Sequence, residues 1–488
     1  MKPIRSKAKL ILYAFGALGV NFLNLIMGSY LCSAIIADGF AEAQWATHTF
    51  AGSQGIMYLV APGLWAIFGV IAKVIDGVID IPMAQLTDRL KSRWGRRRPS
   101  LIIGLVPMTL AYVAFALFVP QLAERSLLNT WYYFIILAIF YSFYTLTMVT
   151  YYATFTEIVD NEKDRRFLSN TKSIADITYF IFGFALVPMI LKGLNVKYVA
   201  LICLPLVLLM LIPLFMIKEN STKDGVGEVE KTVNLFKSVG YTFKNKDFII
   251  WMIVYSFMTL GLQLFLNGIN EYFSITGLPM TPVMAAAFSP VPFTFIIYNK
   301  LIAKKGFKFA YQYTLLIFAL GMLAFFGISL LNTSTTVKMI LGMLCGVCSS
   351  FSIGAMFAVA YSIPSQLAAD DEKRTGISHS AMYFAVQGLF SGVASGIGGT
   401  AILTLLKATK LFENKGTFYI TVVAAIAALI AFGLAFLLPK SISELGRENK
   451  SKDPKDPEPQ PAEEEKAEEL QKETVESDLL EGSAEIEQ

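Results

Sequence analysis

Twelve apolar runs of membrane-spanning length constrain the fold of this 488-residue chain more than any other feature. A helix needs about 20 mostly apolar residues to cross the hydrocarbon core of a bilayer. The runs therefore predict an all-α membrane protein with twelve transmembrane helices. They cover residues 9–36, 56–87, 100–120, 130–156, 173–192, 196–217, 247–274, 282–302, 309–331, 335–365, 378–406 and 416–438.

Charged residues are few and unevenly placed. They make up 16% of the chain, whereas soluble domains carry about 25%. This shortfall argues against a secreted enzyme, a nucleic-acid binder and an ordinary cytosolic protein. Residues 439–488 hold 16 acidic and 7 basic residues, while the remainder carries a net charge of +13. We expect a basic membrane body followed by a disordered acidic tail.

The basic residues of the loops predict the orientation. If the N-terminus is cytoplasmic, the cytoplasmic segments hold 33 Lys and Arg residues and the external loops hold 7, with Lys407 among them. An excess of Lys and Arg is typical of cytoplasmic loops. The bias predicts a multi-pass protein of the plasma (inner) membrane with both termini in the cytoplasm.

The chain divides into two groups of six spans. A basic-Gly-basic turn follows the second span at Arg93–Arg98, and another follows the eighth at Lys304–Lys308. Such turns at corresponding places in two halves are expected of the major facilitator fold. The alternative is two ordinary positively charged cytoplasmic loops. The predicted parts are an N-terminal half (1–217), a middle loop (218–246), a C-terminal half (247–440) and the tail (441–488).

Three ionisable residues of the second span predict a coupling site. Lys73, Asp76 and Asp80 are spaced three and four residues apart, which places them on one helix face. Ionisable residues at membrane depth are costly and usually functional. Two carboxylates four residues apart repel each other unless a cation or a proton lies between them. The residues suit a hard cation such as sodium or a shared proton, and a structural Lys–Asp pair is the simpler alternative.

These acids begin a longer motif. It runs from Asp76 through Asp80 and Pro82 to Asp88-Arg89 and then Arg93-Trp-Gly-Arg96-Arg97-Arg98-Pro. The motif resembles the signature of the glycoside–pentoside–hexuronide cation symporters, the family of the melibiose permease. The stretch 157–166 resembles that family's loop after the fourth helix. The resemblance covers roughly residues 5–440 and implies cation-coupled sugar transport by a twelve-helix protein.

The resemblance implies a cation site of four residues. Asp76 and Asp80 match the family's two cation-binding aspartates, Lys73 matches a basic residue one turn earlier, and Thr145 supplies a hydroxyl from the fourth helix. Ile79 stands where the family has an Asn, so one oxygen ligand of a sodium site is missing. Proton coupling gains weight, and both H⁺ and Na⁺ stay open. We expect no cofactor and no metal other than a transported Na⁺.

The resemblance also implies a substrate site between the halves. Asn21 and Met148 stand where the family has two sugar-binding aspartates, so the acidic clamp for sugar hydroxyls is largely lost. Asn, Tyr and Gln side chains can still hydrogen-bond a sugar, although tyrosines in a membrane helix often serve packing or the membrane interface. The candidate substrate-binding residues are Asn21, Tyr144, Tyr152, Lys172 and Gln387.

A charged cluster at the end of the second span predicts a gate. We expect it to form a latch between helices that breaks and reforms during alternating access, and the alternative is a positively charged cytoplasmic anchor. Its members are Asp88, Arg89, Arg96, Arg97 and Arg98. At the other face of the membrane, Asn267, Asn270 and Glu271 end the seventh span and are expected to line the external mouth, and the alternative is a place at the membrane interface.

The sequence thus predicts a secondary active transporter that moves a sugar or glycoside with H⁺ or Na⁺ by alternating access. We expect a monomer in the lipid bilayer, with a small-molecule substrate and no nucleic-acid partner. One alternative is a symporter of a non-sugar substrate such as a lysophospholipid, and another is a transporter-like sensor that signals through the tail. We do not expect an enzyme, because no nucleophile–base pair or metal site can be recognised.

Overall fold

The computed structural model describes residues 4–35, 60–117, 127–159, 162–191, 194, 196–219, 243, 245–375, 380–408 and 416–443. Within these ranges, twelve helices are long and apolar enough to cross a membrane, and each coincides with one predicted run. The predicted all-α fold class is confirmed. In chain order the helices are α1 (Lys7–Ala34), α2 (Pro62–Arg89), α3 (Arg97–Leu117), α4 (Leu127–Glu157), α5 (162–191), α6 (Val196–Met216), α7 (246–276), α8 (Met280–Lys305), α9 (Phe307–Leu330), α10 (Thr335–Thr375), α11 (380–408) and α12 (Gly416–Ala435).

Two predicted parts cannot be compared with this structure. The described ranges end at residue 443, so nearly all of the acidic tail lies outside them. Residues 220–242, which form most of the middle loop, also lie outside the described residues. The first compact unit spans Met1–Leu445 and contains both groups of six helices.

Each half has its own packing, and three helix pairs make the most extensive contacts between the halves within the described residues. Helix α4 packs against α2 and α3 in the first half, while α12 packs against α7 and α9 in the second. Across the divide, α2 contacts α11, α5 contacts α8, and α1 contacts α7. On the α5–α8 contact, Phe180 and Phe184 stack on Phe288 with ring centroids 5.7 and 5.8 Å apart.

Glycine permits the closest contact between the halves. A β-carbon on Gly77 of α2 would lie 2.6 Å from the backbone oxygen of Gly388. A β-carbon on Gly392 of α11 would lie 2.6 Å from the backbone oxygen of Lys73. Small residues allow membrane helices to approach at backbone distance. Glycine at positions 77 and 392 therefore lets α2 and α11 pack closely.

Three of the helices contain π-helical turns. These turns are Met27–Leu31 in α1, Phe182–Leu186 in α5 and Ile397–Ile402 in α11. In a π turn the backbone hydrogen bonds join residues five apart instead of four, and such turns are frequent at functional sites. Two of them face residues of α7, because Ser29 Oγ donates to Asn267 Oδ1 (3.4 Å) and Asn267 Nδ2 donates to the Gly399 carbonyl (3.3 Å). The odd-numbered helices finish, and the even-numbered helices begin, at the same end of the bundle. We call this end the distal end.

Candidate functional site

Three side chains surround Asp76 of α2 and form a cluster of four residues with it. The Thr145 hydroxyl of α4 donates to Asp76 Oδ1 (2.9 Å), and Lys73 Nζ donates to Asp76 Oδ2 (3.3 Å). The same Nζ lies 3.7 Å from the centroid of the Tyr141 ring, which adds a cation–π contact. Both carboxylate oxygens thus accept a hydrogen bond, and the charge has a counter-ion. We call these residues the ion cluster.

The sequence brings the ion cluster together for simple reasons. Asp76 is one helical turn from Lys73, so their side chains meet on the same face of α2. On α4, Tyr141 and Thr145 are also one turn apart, so both face α2, against which α4 packs. The Asp76 side chain keeps 24% of its surface exposed and that of Lys73 keeps 18%. The carboxylate can therefore still be reached by water or a proton.

Three predicted residues of α2 cannot be assessed at the side-chain level. Asp80 lies one turn beyond Asp76, and Asp88 and Arg89 end the helix. Their side chains lie outside the described residues. Their assignment to the cation site and to the gate stays a prediction.

A second cluster surrounds a carboxylate of α5. Asn21 Nδ2 donates to Asp176 Oδ1 (3.0 Å), and the Tyr144 hydroxyl donates to Asn21 Oδ1 (3.1 Å). Lys172 Nζ also donates to Asp176 Oδ1, and it lies 5.6 Å from the centroid of the Tyr152 ring. Four of the five predicted substrate-binding residues therefore lie around one acid. We call Asp176 and these four residues the substrate cluster.

Asp176 was not among the residues predicted from the sequence. It lies four residues after Lys172 inside the fifth apolar run, and the rule that selected Asp76 beside Lys73 would have selected it as well. Its position places a carboxylate beside Asn21, where the sequence analysis predicted none. The carboxylate comes from α5, and Asn21 holds it through a hydrogen bond.

Gln387, the fifth predicted substrate residue, has a different neighbour. Trp251 Nε1 of α7 donates to Gln387 Oε1 (3.2 Å), and both side chains are buried in the second half. The next residue, Gly388, is the one that contacts Gly77 of α2. Gln387 thus borders the surface between the halves, and its described hydrogen bond is made to Trp251.

Adjacent residues of α4 connect the two clusters. Tyr144 hydrogen-bonds to Asn21 in the substrate cluster, and Thr145 hydrogen-bonds to Asp76 in the ion cluster. Neighbouring residues on a helix point about 100° apart, so one turn of α4 can contact both clusters. A small rotation or shift of α4 would therefore change both sets of hydrogen bonds together.

Three hydrogen bonds of the predicted arginine gate involve the start of α3, the end of α6 and the first residues of the middle loop. The backbone N–H of Arg97 donates to Glu219 Oε2 (2.7 Å), and Arg98 Nη2 donates to the Phe215 carbonyl (3.3 Å). Arg96 contributes its carbonyl, which accepts from Ser100 Oγ (2.8 Å). These bonds connect the start of α3 with the chain at the end of α6. A latch role for Arg96, Arg97 and Arg98 stays a prediction.

A buried ion pair at the distal end is the main feature that the sequence did not predict. Lys407 Nζ lies 2.9 Å from Glu271 Oε1, and the two side chains are 0% and 1% exposed. The same Nζ donates to the carbonyl oxygen and to Oγ of Ser33 in α1, at 2.9 and 3.0 Å. The assignment of Lys407 to an external loop was wrong, because α11 continues to Ala408 and turns this residue inward. We call these three residues the distal cluster.

A small cavity lies between the halves, from the ion cluster to the distal cluster. Its lining includes Trp65, Lys73, Tyr141, Asn267 and Lys407. Its volume of about 20 Å³ is enough for one water molecule, which needs roughly 10–15 Å³ by the same measure. An organic substrate cannot enter it without movement of the surrounding helices.

Comparison with known proteins gives a family over nearly the whole chain. Residues 12–439 match the family model described as MFS/sugar transport protein. Over 128 residues the chain is 33% identical to an uncharacterized symporter of Synechocystis sp.. That alignment spans 25% of this chain and 23% of the other protein, so it covers less than a quarter of the relative.

Solved transporters share the fold at low sequence identity. A bacterial homologue of the human lysosomal transporter Spinster, in an inward-facing and unoccupied conformation, aligns with a TM-score of 0.59 and 12% identity, over 92% of this chain and all of that one. The nucleoside transporter NupG aligns with a TM-score of 0.58 and 15% identity, over 89% of this chain and 98% of that one. A POT family transporter in complex with 5-aminolevulinic acid aligns with a TM-score of 0.60 and 12% identity, over 89% of this chain and 97% of that one. These similarities confirm the predicted major facilitator fold.

Proposed function

The chain belongs to the MFS/sugar transport protein family, and from this premise we propose that it is a proton-coupled symporter of a sugar or glycoside. The family and the fold make it a multi-pass secondary transporter of the major facilitator type. We further propose that it belongs among the glycoside–pentoside–hexuronide symporters.

One observation carries the proposal: two charged clusters at membrane depth are connected through a single turn of α4. Tyr144 contacts the substrate cluster and Thr145 contacts the ion cluster. Symport requires that the ion and the substrate influence each other's binding, which is a coupling free energy between two sites. A shared helix turn gives that coupling a physical route.

We assign the ion site to Asp76 and its neighbours. A proton would bind one of the carboxylate oxygens and remove the negative charge, and Lys73 would lose its counter-ion and rely on Tyr141 and water. Protonation would remove the ion pair with Lys73 and weaken both hydrogen bonds to Asp76, so it would free α2 and α4 to move relative to each other. A proton fits better than sodium, because Thr145 and Lys73 already donate to both oxygens.

We assign the substrate site to the cluster around Asp176. Sugar hydroxyls donate well to a carboxylate and accept from an amide, and Asp176 and Asn21 supply these groups. The Asp176 side chain keeps 30% of its surface exposed, and Tyr152 is 39% exposed. An exposed aromatic ring beside hydrogen-bonding groups suits the flat apolar face of a sugar ring.

We place the transporter in the plasma membrane with its N-terminus in the cytoplasm and its distal end outside. The loop charges support this orientation. With Lys407 counted inside α11, the external loops hold one basic residue fewer than the sequence count, which strengthens the bias. The protein would then take up its substrate along an inward proton gradient.

Uptake into proteoliposomes tests the proposal. The purified protein is offered a panel of sugars, glycosides, nucleosides and lysophospholipids under separate proton and sodium gradients. We expect proton-driven accumulation of at least one sugar or glycoside and no response to sodium. Accumulation driven only by sodium would contradict proton coupling, and transport confined to a non-sugar would contradict the substrate class.

An Asp76→Asn variant tests the ion site. Asparagine resembles a protonated carboxyl, so we expect this variant to lose proton-driven accumulation and to retain exchange of labelled for unlabelled substrate. Asp247→Asn is the matched control, because Asp247 lies in the first turn of α7, outside both clusters. Unchanged accumulation in Asp76→Asn would remove Asp76 from the ion site.

A further inference from the structure

The distal cluster differs from the other two clusters in its burial. The carboxylates of the ion and substrate clusters keep 24% and 30% of their side-chain surface exposed. The side chains of Lys407 and Glu271 are 0% and 1% exposed. The distal end of this structure is therefore sealed at Lys407, while the two midplane acids remain accessible.

Lys407 contacts both halves of the protein. An ammonium group has three hydrogens, and Nζ has three acceptors: the Ser33 carbonyl, the Ser33 hydroxyl and Glu271 Oε1. Ser33 lies in α1 of the first half, whereas Lys407 and Glu271 both lie in the second half. Separation of the halves at this end would break the two bonds to Ser33 and leave the ion pair intact.

Glu271 is arranged to keep the lysine charge compensated after such a separation. Its second oxygen, Oε2, is buried and has no hydrogen-bond partner. A buried charge with an unsatisfied oxygen is costly, so the arrangement is poor for a purely static pair. When Ser33 moves away, Oε2 and entering water can accept the N–H groups that Ser33 releases.

The neighbouring contacts across the same boundary are neutral. Asn270 Nδ2 donates to the Ser29 carbonyl (2.9 Å), and Ser29 Oγ donates to Asn267 Oδ1 (3.4 Å). Hydrogen bonds to a charged donor are stronger than these neutral ones. The strongest described polar contact between α1 and the second half is therefore the one from Lys407 to Ser33.

We propose that Lys407 is the distal gating residue and that Glu271 is its positioning residue. The bonds from Lys407 to Ser33 hold the distal end closed, and they break when that end opens. Glu271 stays paired with Lys407 in both states. The proposal rests on transport by alternating access, as stated above, and it adds a gate at the end of the molecule opposite the predicted arginine gate.

The cavity explains why opening at this place would matter. It is lined by Lys407 at one end and by Lys73 of the ion cluster at the other. Loss of the Ser33 contacts would widen it toward the distal face and expose the ion cluster to protons from that side. The gate would thus control access to Asp76 and its neighbours.

Thiol labelling tests the gate without any substrate or ion gradient. The four native cysteines (Cys32, Cys203, Cys345 and Cys348) are replaced by alanine, and Thr404→Cys, in the lining of the cavity, is the reporter. Right-side-out vesicles receive a membrane-impermeant maleimide. We expect Lys407→Met to raise the labelling rate at least about tenfold, because two hydrogen bonds to a charged donor are lost.

Two further variants separate a gate from a structural ion pair. The double variant Lys407→Met/Glu271→Gln leaves no uncompensated buried charge, and we expect it to label as fast as Lys407→Met. Lys338→Met is the matched control, because Lys338 bonds to Ser329 (3.4 Å) within the second half. It should label at the background rate.

Three results would overturn the proposal. The first is that the Lys407→Met variant and the double variant both fold but are labelled at the background rate. The second is a rate that rises equally in Lys338→Met. The third is failure of both the single and the double variant to fold, which would make the pair a requirement of the fold. Because the assay needs no transport, it can succeed or fail independently of the proposed sugar symport.

Discussion

In the two midplane clusters, each charged side chain pairs with a residue of opposite charge on its own helix. Lys73 pairs with Asp76 at a spacing of three residues, and Lys172 pairs with Asp176 at a spacing of four. Each pair is neutral, so each can remain in the membrane interior at moderate cost. Each also receives one neutral hydrogen bond from another helix, through Thr145 or Asn21. These helices can therefore respond to a change of charge at either pair.

The substrate assignment is testable at Asp176. We expect Asp176→Asn to raise the KM for the transported sugar by about 10–100-fold, because a hydrogen bond to a charged group contributes about 1.5–3 kcal/mol. A double variant, Lys172→Met/Asp176→Asn, avoids an unpaired buried lysine and should show a similar loss. Thr178→Val is the control in initial-rate uptake assays, because the Thr178 hydroxyl donates to the Ile174 carbonyl of its own helix. An unchanged KM in both Asp176 variants would exclude this carboxylate from the substrate site.

The connection between the clusters is testable at Tyr144. Tyr144→Phe removes the hydrogen bond to Asn21 and leaves the ring in place. We expect a higher KM for the substrate and a weaker effect of substrate on proton binding, measured as proton uptake by detergent-solubilised protein on addition of sugar. Tyr132→Phe, which removes a bond to the Ala114 carbonyl (2.9 Å), should change neither quantity. Equal behaviour of the two variants would contradict coupling through α4.

At the scale of elements, the contact between α2 and α11 sets the distance between the halves. Glycines of both helices lie against the backbone of the other helix, and a β-carbon at either Gly77 or Gly392 would overlap a carbonyl oxygen. Helix α2 also carries the ion cluster, so a displaced α11 would move against Lys73 and Asp76. The π turns of α1 and α11 lie farther along, toward the distal end. The close contact at the middle of α2 and α11 suits a pivot point, and the irregular turns of α1 and α11 suit movement of their distal ends.

A substitution at this contact gives a prediction for stability. We expect Gly392→Ala to lower the free energy of unfolding by about 1–3 kcal/mol, because an added methyl group in a tight contact forces backbone shifts. The measurement is thermal unfolding in detergent, together with uptake. Gly433→Ala on α12 is the control, because nothing lies within 4 Å of the added carbon. Equal stability of the two variants would show that α2 and α11 can separate without cost.

At the scale of the whole molecule, all three clusters lie inside one compact unit. That unit spans Met1–Leu445, and residues Gly446–Gln488 form the second unit. The ion and substrate clusters belong to the first half, while the distal cluster joins α1 to the second half. In the proposed mechanism, one half would bind both the proton at Asp76 and the substrate at Asp176, and access from the distal side would depend on contacts with the other half.

The division into units predicts that transport does not need the tail. A chain truncated after Leu445 retains every residue of the three clusters, so we expect proton-driven uptake within about twofold of the full-length protein. The full-length chain at equal protein density in the liposomes is the control. Loss of uptake in the folded truncated protein would assign the tail a role in transport and would favour the sensor alternative.

The sequence predicted the fold more completely than the site. All twelve spans were recognisable, because a membrane demands a long apolar run wherever a helix crosses it. Lys73, Asp76 and Thr145 were predicted together and lie together. Asp176 escaped notice although it stands four residues from Lys172, and Lys407 was placed in a loop because its apolar run ends nearby. Gln387 was grouped with the substrate residues, and its described bond is made to Trp251.

The amino-acid sequence by itself determined which segments cross the membrane and which of them carry charge. Both properties follow from local composition, because the cost of placing a polar group in lipid depends on that group and its immediate neighbours in the chain. Only the tertiary structure decided which charges meet between different helices. Ser33, Glu271 and Lys407 are separated by 136 or more residues and come together through the packing of α1, α7 and α11. Such a contact depends on helix rotation and crossing, which neither spacing nor hydropathy specifies.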